Sequence, residues 1–495
     1  MTEQAGRARS ADASRAARST PLSWRLQAQY GVGSLVDGLV AAGLNFFLLF
    51  YLTAVCGMSG TMAGMATMIA LLIDGVADPA IGLASDRLRS RWGRRLPFMV
   101  FSLIPFACSL DLVFSMPASL SGAAQFVYIT VSLILLRLSL SAFVLPFTAV
   151  GAEITDDYHE RASIVSFRLI FQYAGMLCGV VLGLGVFMSG PSGLLRRHNY
   201  VPFAWTYAGV ILVSGLVAIA AVRRALPRLH TPPAEQISFL QGLKRELIEL
   251  SRNRSFLVLF ATLIVYFVAS SAHVSLALYA SRYFWKLDNS AIQLVLLSTA
   301  LGPLIGAPLS AIAIRYVEKR ALEIVCMLAV AVFLIWPPLL QLYGPQSLSP
   351  DMATAVLFVN GIFLGTAMMI GGVAFQSMMA DAADEHEWLF GVRREGLFFS
   401  GLILAFKAAS GLGGLIAGVA LDTIDFPLHL AAKGTNAVIP ATVIARLGLI
   451  SGPLPAAFVA IAPVFLFGYH LTRKRHAQIL TSLEERHQTI GQNAP

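Results

Sequence analysis

Charged residues are scarce in this chain. Asp, Glu, Lys and Arg together make up 13% of its 495 residues, whereas a typical soluble domain contains about 25%. Hydrophobic residues make up 57%, and they fall into runs long enough to cross a bilayer, which takes about 20 residues per helix. An ordinary soluble domain is therefore excluded. We predict an all-α membrane protein, because in lipid each spanning segment must satisfy its own backbone hydrogen bonds.

The chain also has few cysteines and no recognisable catalytic motif. The glycines at 411, 413 and 414 lie within an apolar run, where they favour close helix packing over a nucleotide-binding loop. The cysteines lie in or beside apolar runs and lack the spacing of metal ligands; they are Cys56, Cys108, Cys178 and Cys326. We therefore expect no enzymatic activity, no metal centre and no organic cofactor.

The net charge of +9 would suit nucleic acid, but the basic residues cluster in alternate loops and in both tails. That distribution follows the positive-inside rule. It predicts twelve spans, both termini in the cytoplasm and no nucleic-acid partner. The predicted organisation is a cytoplasmic tail at 1–25, six-helix bundles at 26–222 and 256–472 joined by a cytoplasmic loop at 223–255, and a second cytoplasmic tail at 473–495.

Two acidic residues lie near the inner end of the second predicted span. Asp74 and Asp78 are one helical turn apart and share a face, and an acidic residue in a span costs about 2.5–3.5 kcal/mol on insertion scales. Two adjacent carboxylates can coordinate Na⁺ or share a proton. The alternative is an ordinary helix end, at which Asp78 pairs with nearby arginines. Pro79 follows directly and is expected to disturb the helix.

Lone polar residues occur in other predicted spans. Lys407 lies in the middle of the eleventh span, where it requires an anionic partner or a water-filled cavity. Asp37, in the first span, suits either a buried structural hydrogen bond or substrate binding. Arg137 and His273 have two interpretations of the same kind, as residues that face a cavity or that serve helix packing.

Charged residues are dense in three predicted cytoplasmic loops. Their opposite signs suit ion pairs that close the inner side in one conformation and break in another, although solvated loops are an alternative for some of them. The predicted gate residues are Asp86, Arg87, Arg94, Arg95, Glu160, Arg161, Asp381, Asp384, Arg393 and Arg394.

Together these blocks resemble the glycoside–pentoside–hexuronide:cation symporters, a melibiose permease-like family of the major facilitator superfamily. The motifs that carry the resemblance are Asp74-x-x-x-Asp78-Pro79-x-x-Gly82 with Arg91-x-Gly93-Arg94-Arg95-x-Pro97, Glu160-Arg161 with Arg168, and Asp381-x-x-Asp384 with Gly391-x-Arg393-Arg394-Glu395-Gly396 and Lys407. The resemblance implies the major facilitator fold, with twelve transmembrane helices in two halves. It also implies a cation site at Asp74 and Asp78, with Lys407 near that site and Arg168 near the sugar.

The sequence departs from the family's melibiose-transporting pattern in both sites. Ala77 replaces an asparagine beside the second aspartate, while the hydroxyl that helps to hold the cation in span 4 aligns with Ser141. The sugar-binding aspartates align with Gly38 and Val144, and Asp37 lies one position early. The resemblance also includes lysophospholipid symporters, which lack that pair of aspartates.

We therefore expect an inner-membrane bacterial transporter that acts as a monomer. It would move a sugar, glycoside, uronide or related organic solute together with H⁺ or Na⁺ by alternating access. The cation would bind at Asp74, Asp78 and Ser141, with Lys407 balancing the charge. The predicted substrate residues, chosen by polarity and depth, are Asp37, Tyr128, Arg168, Gln172, Tyr266, His273 and Gln376. The alternatives are a lysophospholipid or amphiphile symporter, or a non-transporting membrane sensor on the same fold.

Overall fold

A computed structural model describes residues 21–155, 157–190, 192–228, 250–345, 347–391, 395–428, 430–433 and 439–492. Twelve helices in these ranges are long and apolar enough to span a membrane, which confirms the predicted all-α, twelve-span fold. They are α1 (Trp24–Val55), α2 (Gly60–Arg87), α3 (Leu96–Phe114), α4 (Gly122–Glu153), α5 (His159–Phe187), α6 (Arg197–Arg228), α7 (Arg254–Phe284), α8 (Asn289–Tyr316), α9 (Lys319–Tyr343), α10 (Pro350–Phe390), α11 (Gly401–Thr423) and α12 (Ala441–Leu466). The helix of α11 extends back to Glu395, and α13 (Arg473–Gln492) follows α12.

Polar caps define several helix ends. The Ser59 hydroxyl accepts a hydrogen bond from the backbone N–H of Met62 at the start of α2, and the Ser349 hydroxyl does the same for Met352 at the start of α10. These side chains satisfy N–H groups that have no partner inside the helix. The end of α10 is set by Gly391, whose φ of +74° lies in the left-handed region that glycine adopts without strain.

The chain forms two compact units. One comprises Met1–Glu235 with Pro427–Val438, and the other comprises Gln236–Phe426 with Ile439–Pro495. The first unit contains α1 to α6 and the second contains α7 to α12. Most of the predicted N-terminal tail, at 1–20, and most of the predicted middle loop, at 229–249, lie outside the described residues.

In the first unit, the backbones of α1 and α5 are in contact where the two helices cross. A Cβ atom built at Gly38 would overlap the carbonyl oxygen of Gln172 and lie 2.8 Å from the backbone nitrogen of Met176. A Cβ atom at Gly175 would lie 3.0 Å from the Cα atom of Leu35. Small residues allow this approach, as is usual where membrane helices pack closely. The crossing brings the polar residues of the two helices together.

In the second unit, α8 and α10 cross in the same way. A Cβ atom at Gly302 would lie 2.5 Å from the backbone nitrogen of Thr366 and 2.6 Å from the Cα atom of Gly365. The hydroxyl of Thr366 donates to the carbonyl of Gly302 at 3.1 Å. Close packing at this point fixes the position of α10, which carries much of the lining of a cavity described below.

The helix α2 runs without interruption through Pro79. The expected disturbance of the helix is therefore not seen. Proline has no backbone N–H, however, and so the carbonyl of Gly75, four residues earlier, loses its usual helical donor. This carbonyl lies between Asp74 and Asp78 in the chain.

Candidate functional site

Asp74 is at the centre of the polar cluster in the first unit. Its side chain lies on α2 and is 1% exposed. The hydroxyl of Ser141, on α4, donates a hydrogen bond to its Oδ1 atom at 2.7 Å. Ser141 is itself 5% exposed. A carboxylate and a hydroxyl oxygen, the two groups expected at a cation site, thus lie in direct contact between two helices.

Asp78 lies one turn further along α2, and its side chain is half-buried. One of its carboxylate oxygens is enclosed by protein. Together, the side chains of Asp74, Asp78 and Ser141 and the carbonyl of Gly75 offer only oxygen atoms, which are the ligands that hard cations prefer.

Arg137 provides positive charge to this cluster. It lies one turn before Ser141 on α4, and its guanidinium interacts electrostatically with the carboxylates of Asp74, Asp37 and Asp78. An arginine cannot be deprotonated in a protein, so it is a permanent counter-charge for the three acidic groups. The sequence left Arg137 with two interpretations, because nothing in its own span shows which residues of other helices it meets.

Asp37 and Gln172 form a second contact of the first unit. The Nε2 atom of Gln172, on α5, donates to Oδ2 of Asp37, on α1, at 2.6 Å. Arg168 lies one turn before Gln172 on α5, and its guanidinium carbon is 5.5 Å from the centre of the Phe147 ring. Three predicted substrate residues therefore belong to one region of the α1–α5 pair.

Tyr128 lies elsewhere in the first unit. Its hydroxyl donates to the backbone carbonyl of Leu112, on α3, at 3.1 Å. It is also 13 residues from Ser141 on α4, which corresponds to about 20 Å along a helix axis. The structure does not bring Tyr128 to the carboxylate cluster.

The predicted site residues of the second unit fall into different environments. Lys407 is half-buried on α11. His273, on α7, has its Nδ1 atom 2.6 Å from the carbonyl oxygen of Ser451, a contact that joins α7 to α12. Tyr266 and Gln376 both line a cavity within this unit.

Predicted gate residues in the first unit form ion pairs around Glu153, at the end of α4. Its Oε1 atom accepts from Arg94 and from Arg95, each at 2.6 Å, and Arg95 also lies 2.9 Å from Asp86. Glu153 is absent from the predicted gate residues, because the sequence alone does not distinguish it from the other acidic residues between the fourth and fifth spans.

Other predicted gate residues of the first unit make different contacts. Glu160 accepts from the backbone N–H of Leu22 at 2.6 Å and from the Thr155 hydroxyl at 2.5 Å. Arg161 donates through Nε to the Thr155 carbonyl at 3.3 Å. Arg87 is exposed at the end of α2.

Replacing Glu153 by Gln is expected to lower the free energy of unfolding by about 2 kcal/mol, because two guanidinium groups lose their shared charged acceptor. The measurement is the thermal unfolding of purified protein in detergent. Asp86→Asn is the matched control, since the Asp86 side chain is 50% exposed and such a pair contributes less than about 1 kcal/mol. Equal shifts for the two variants would contradict this assignment.

The second unit has its own charge cluster. Lys319, at the start of α9, donates to both carboxylate oxygens of Asp381 at 2.8 and 2.6 Å. His476, on α13, lies 3.0 Å from Oδ2 of Asp384. These contacts join α9, α10 and α13. The predicted gate residues Arg393 and Arg394 lie outside the described residues.

The described residues contain no group of three or more His, Cys, Asp or Glu side chains placed to hold a metal ion in the manner of a metalloprotein. The buried polar contacts of the first unit instead combine carboxylates, one hydroxyl and one guanidinium. The carboxylates and the hydroxyl of this set can bind a small cation or a proton, and the guanidinium can balance the negative charge when neither is bound.

Comparisons with known proteins agree with the fold and the motifs. The model of the family described as MFS/sugar transport protein matches residues 29–473. The glucuronide carrier protein homolog of Escherichia coli is 25% identical over 94% of this chain and 96% of its own length. The isoprimeverose transporter of Lactiplantibacillus pentosus is 23% identical over 84% of each chain. The crystal structure of a D-xylose–proton symporter is similar in fold, with a TM-score of 0.57 and 15% identity over 91% of this chain and 98% of that one.

Proposed function

Because this chain belongs to the MFS/sugar transport protein family, we propose that it is a cation-coupled symporter that carries a sugar or glycoside across a membrane by alternating access. The twelve spans and the family membership support a multi-pass membrane transporter. The excess of Lys and Arg in alternate loops and in both tails supports cytoplasmic termini. Relatives named for a glucuronide and for isoprimeverose support a sugar-like solute.

The observation that carries the proposal is the contact between Ser141 and Asp74. The 2.7 Å hydrogen bond holds a buried carboxylate in a region where an acidic residue is costly and is usually retained for function. Asp78 and the Gly75 carbonyl lie on the same helix within one turn and supply further oxygen atoms. In our proposal these groups bind the coupling ion, H⁺ or Na⁺.

Arg137 supports coupling by charge balance. Its guanidinium interacts with Asp74, Asp78 and Asp37, so it attracts the same carboxylates that a bound cation would neutralise. Lys407, half-buried in α11, is proposed as the corresponding charge of the second unit. Asp37 in turn bonds Gln172, which supports a link between the proposed cation site and substrate contacts. Coupling requires that each ligand favours the same conformational state.

Replacing Ser141 by Ala is expected to weaken the apparent affinity for the coupling ion roughly 10-fold, because one oxygen and the hydrogen bond to Asp74 are lost. The measurement is uptake into proteoliposomes as a function of Na⁺ concentration and of pH. Ser132→Ala is the matched control, since the Ser132 hydroxyl contacts Tyr128 of its own helix, to whose carbonyl it donates at 2.8 Å. An unchanged cation dependence in Ser141→Ala would contradict the assignment of this oxygen.

The proposal is tested with a defined glycoside panel. It consists of isoprimeverose, the methyl β-glycosides of xylose, glucose and galactose, and the methyl β-glycosides of glucuronic and galacturonic acid. Proteoliposomes containing the purified protein are given an inward gradient of Na⁺ or of H⁺. We expect at least one compound to accumulate with a gradient and not without it.

A further inference from the structure

A cavity of about 450 Å³ lies within the second unit, in the size range of ligand pockets. It is enclosed by α7, α9, α10 and α11. Aromatic side chains form much of its wall, namely Tyr266, Phe267, Phe375 and Phe406. The lining contains one acidic residue, Glu323, and no basic residue, and all of its members belong to the described part of the chain.

Glu323 is a buried carboxylate that no part of the site described above uses. It lies on α9, is 4% exposed and contributes to the cavity wall. Its Oε2 atom has no hydrogen-bond partner among the described residues. Lys319, one turn earlier on α9, is bonded to both oxygens of Asp381. A buried acceptor without a donor is costly, and a ligand in the cavity is in a position to supply that donor.

Gly371, on α10, keeps the space beside this carboxylate open. A Cβ atom at that position would lie 3.1 Å from Oε2 of Glu323 and 3.1 Å from the Cβ atom of Cys326. The neighbouring Gly372 also lines the cavity, but a Cβ atom there would meet nothing within 4 Å. The two glycines therefore differ in whether a methyl group would cover the carboxylate.

We propose that this cavity binds an uncharged, hydroxyl-bearing sugar ring, and that Glu323 accepts hydrogen bonds from its hydroxyl groups. Hydroxyl donors satisfy the carboxylate, and aromatic walls pack against the apolar face of the ring. A uronate or sulfonate group would bring a negative charge into a cavity whose lining offers no cation to pair with it. The inference rests on the proposed transport function and narrows its substrate to neutral glycosides.

The test is isothermal titration calorimetry of the purified full-length protein in detergent with the glycoside panel. We expect at least one neutral compound to bind wild type roughly 10-fold or more tightly than the uronides. Glu323→Gln preserves the volume of the side chain and replaces one carboxyl oxygen, an acceptor, by an amide nitrogen. It is expected to weaken binding of the neutral compound roughly 10- to 100-fold and therefore to lower the ratio of the neutral to the uronide affinity. Asp351→Asn, at an exposed acidic residue in the first turn of α10, is the control and is expected to change neither quantity.

A glycine pair outside and inside the cavity provides a second, independent test. Gly371→Ala is expected to weaken binding of the neutral compound roughly 10-fold or more, because its methyl group lies against Oε2 of Glu323. Gly209→Ala, on the exposed face of α6, where a Cβ atom would meet nothing within 4 Å, is the control and is expected to bind as wild type does. Alanine has the higher helix propensity in both cases, and the melting temperature of each variant is measured as well, because the Gly371→Ala methyl group would also lie 3.1 Å from the Cβ atom of Cys326.

Three results would overturn the inference: no binding by any neutral compound, uronides binding as tightly as neutral compounds, or unchanged binding in Glu323→Gln. The proposed transport function fails separately. Cation-driven uptake of a neutral glycoside at the wild-type rate in Glu323→Gln would support the transport function and contradict this binding site. Glu323-dependent binding of a neutral glycoside without any cation-driven uptake would support this binding site and contradict the proposed transport function.

Discussion

Replacing Asp74 by Asn is expected to abolish cation-driven uptake of the transported glycoside, with a loss of roughly 100-fold or more, equivalent to about 3 kcal/mol. Asparagine preserves the shape of the side chain and its contact with Ser141, so the fold is expected to persist. It removes the charge that would bind Na⁺ and the carboxyl group that would take up a proton. Uptake into proteoliposomes under an imposed gradient is the measurement, and thermal unfolding is the check on folding.

Asp111→Asn is the matched control for this variant. Asp111 lies on α3 in the same unit and accepts a hydrogen bond from Ser115 of its own chain segment at 2.8 Å. Neutralising it removes one membrane carboxylate without touching the Asp74 cluster. We expect the control to transport normally. Wild-type uptake by Asp74→Asn, with an unchanged dependence on the cation, would show that the ion binds elsewhere.

Replacing Gly38 by Ala is expected to destabilise the protein severely, by about 3 kcal/mol or more. The added Cβ atom would overlap the carbonyl oxygen of Gln172, and a backbone atom within a packed helix has little freedom to move aside. The α1–α5 crossing would have to separate, which would also disrupt the hydrogen bond between Gln172 and Asp37. The measurement is the melting temperature in detergent, together with the yield of folded protein.

Gly209→Ala is the control for that substitution. Gly209 lies in the exposed face of α6, where a Cβ atom would meet nothing within 4 Å. Alanine there is expected to be neutral or to stabilise the helix by up to about 1 kcal/mol. If Gly38→Ala had the melting temperature of the wild type, the α1–α5 crossing would be less tightly packed than described.

The sequence predicted the fold because its signals are local. Long apolar runs and the alternation of basic loops predict the number of spans without knowledge of any contact between helices. The cost of a carboxylate in lipid likewise identified Asp74 and Asp78 as unusual. The motifs around them resembled one symporter family, and the match over residues 29–473 confirms the family.

Contacts between helices were not predictable in this way. Arg137 is a lone polar residue in its span, and only the fold shows that it interacts electrostatically with three carboxylates of α1 and α2. Glu323 lies near a helix end beside basic residues, and in the sequence this position is typical of a solvent-exposed charge. The fold instead buries Glu323 in a cavity wall. Conversely, depth and polarity suggested Tyr128, whose hydroxyl bonds the α3 backbone.

Cation-coupled glycoside transport is tested most directly by the accumulation of the glycoside panel in proteoliposomes containing the wild-type protein, with Na⁺ and H⁺ gradients imposed separately. We expect at least one compound to rise inside above its external concentration, and an ionophore that collapses the effective gradient to return it to the external level. If every compound only equilibrates, or fails to enter, whichever gradient is imposed, the chain is not a cation-coupled glycoside symporter.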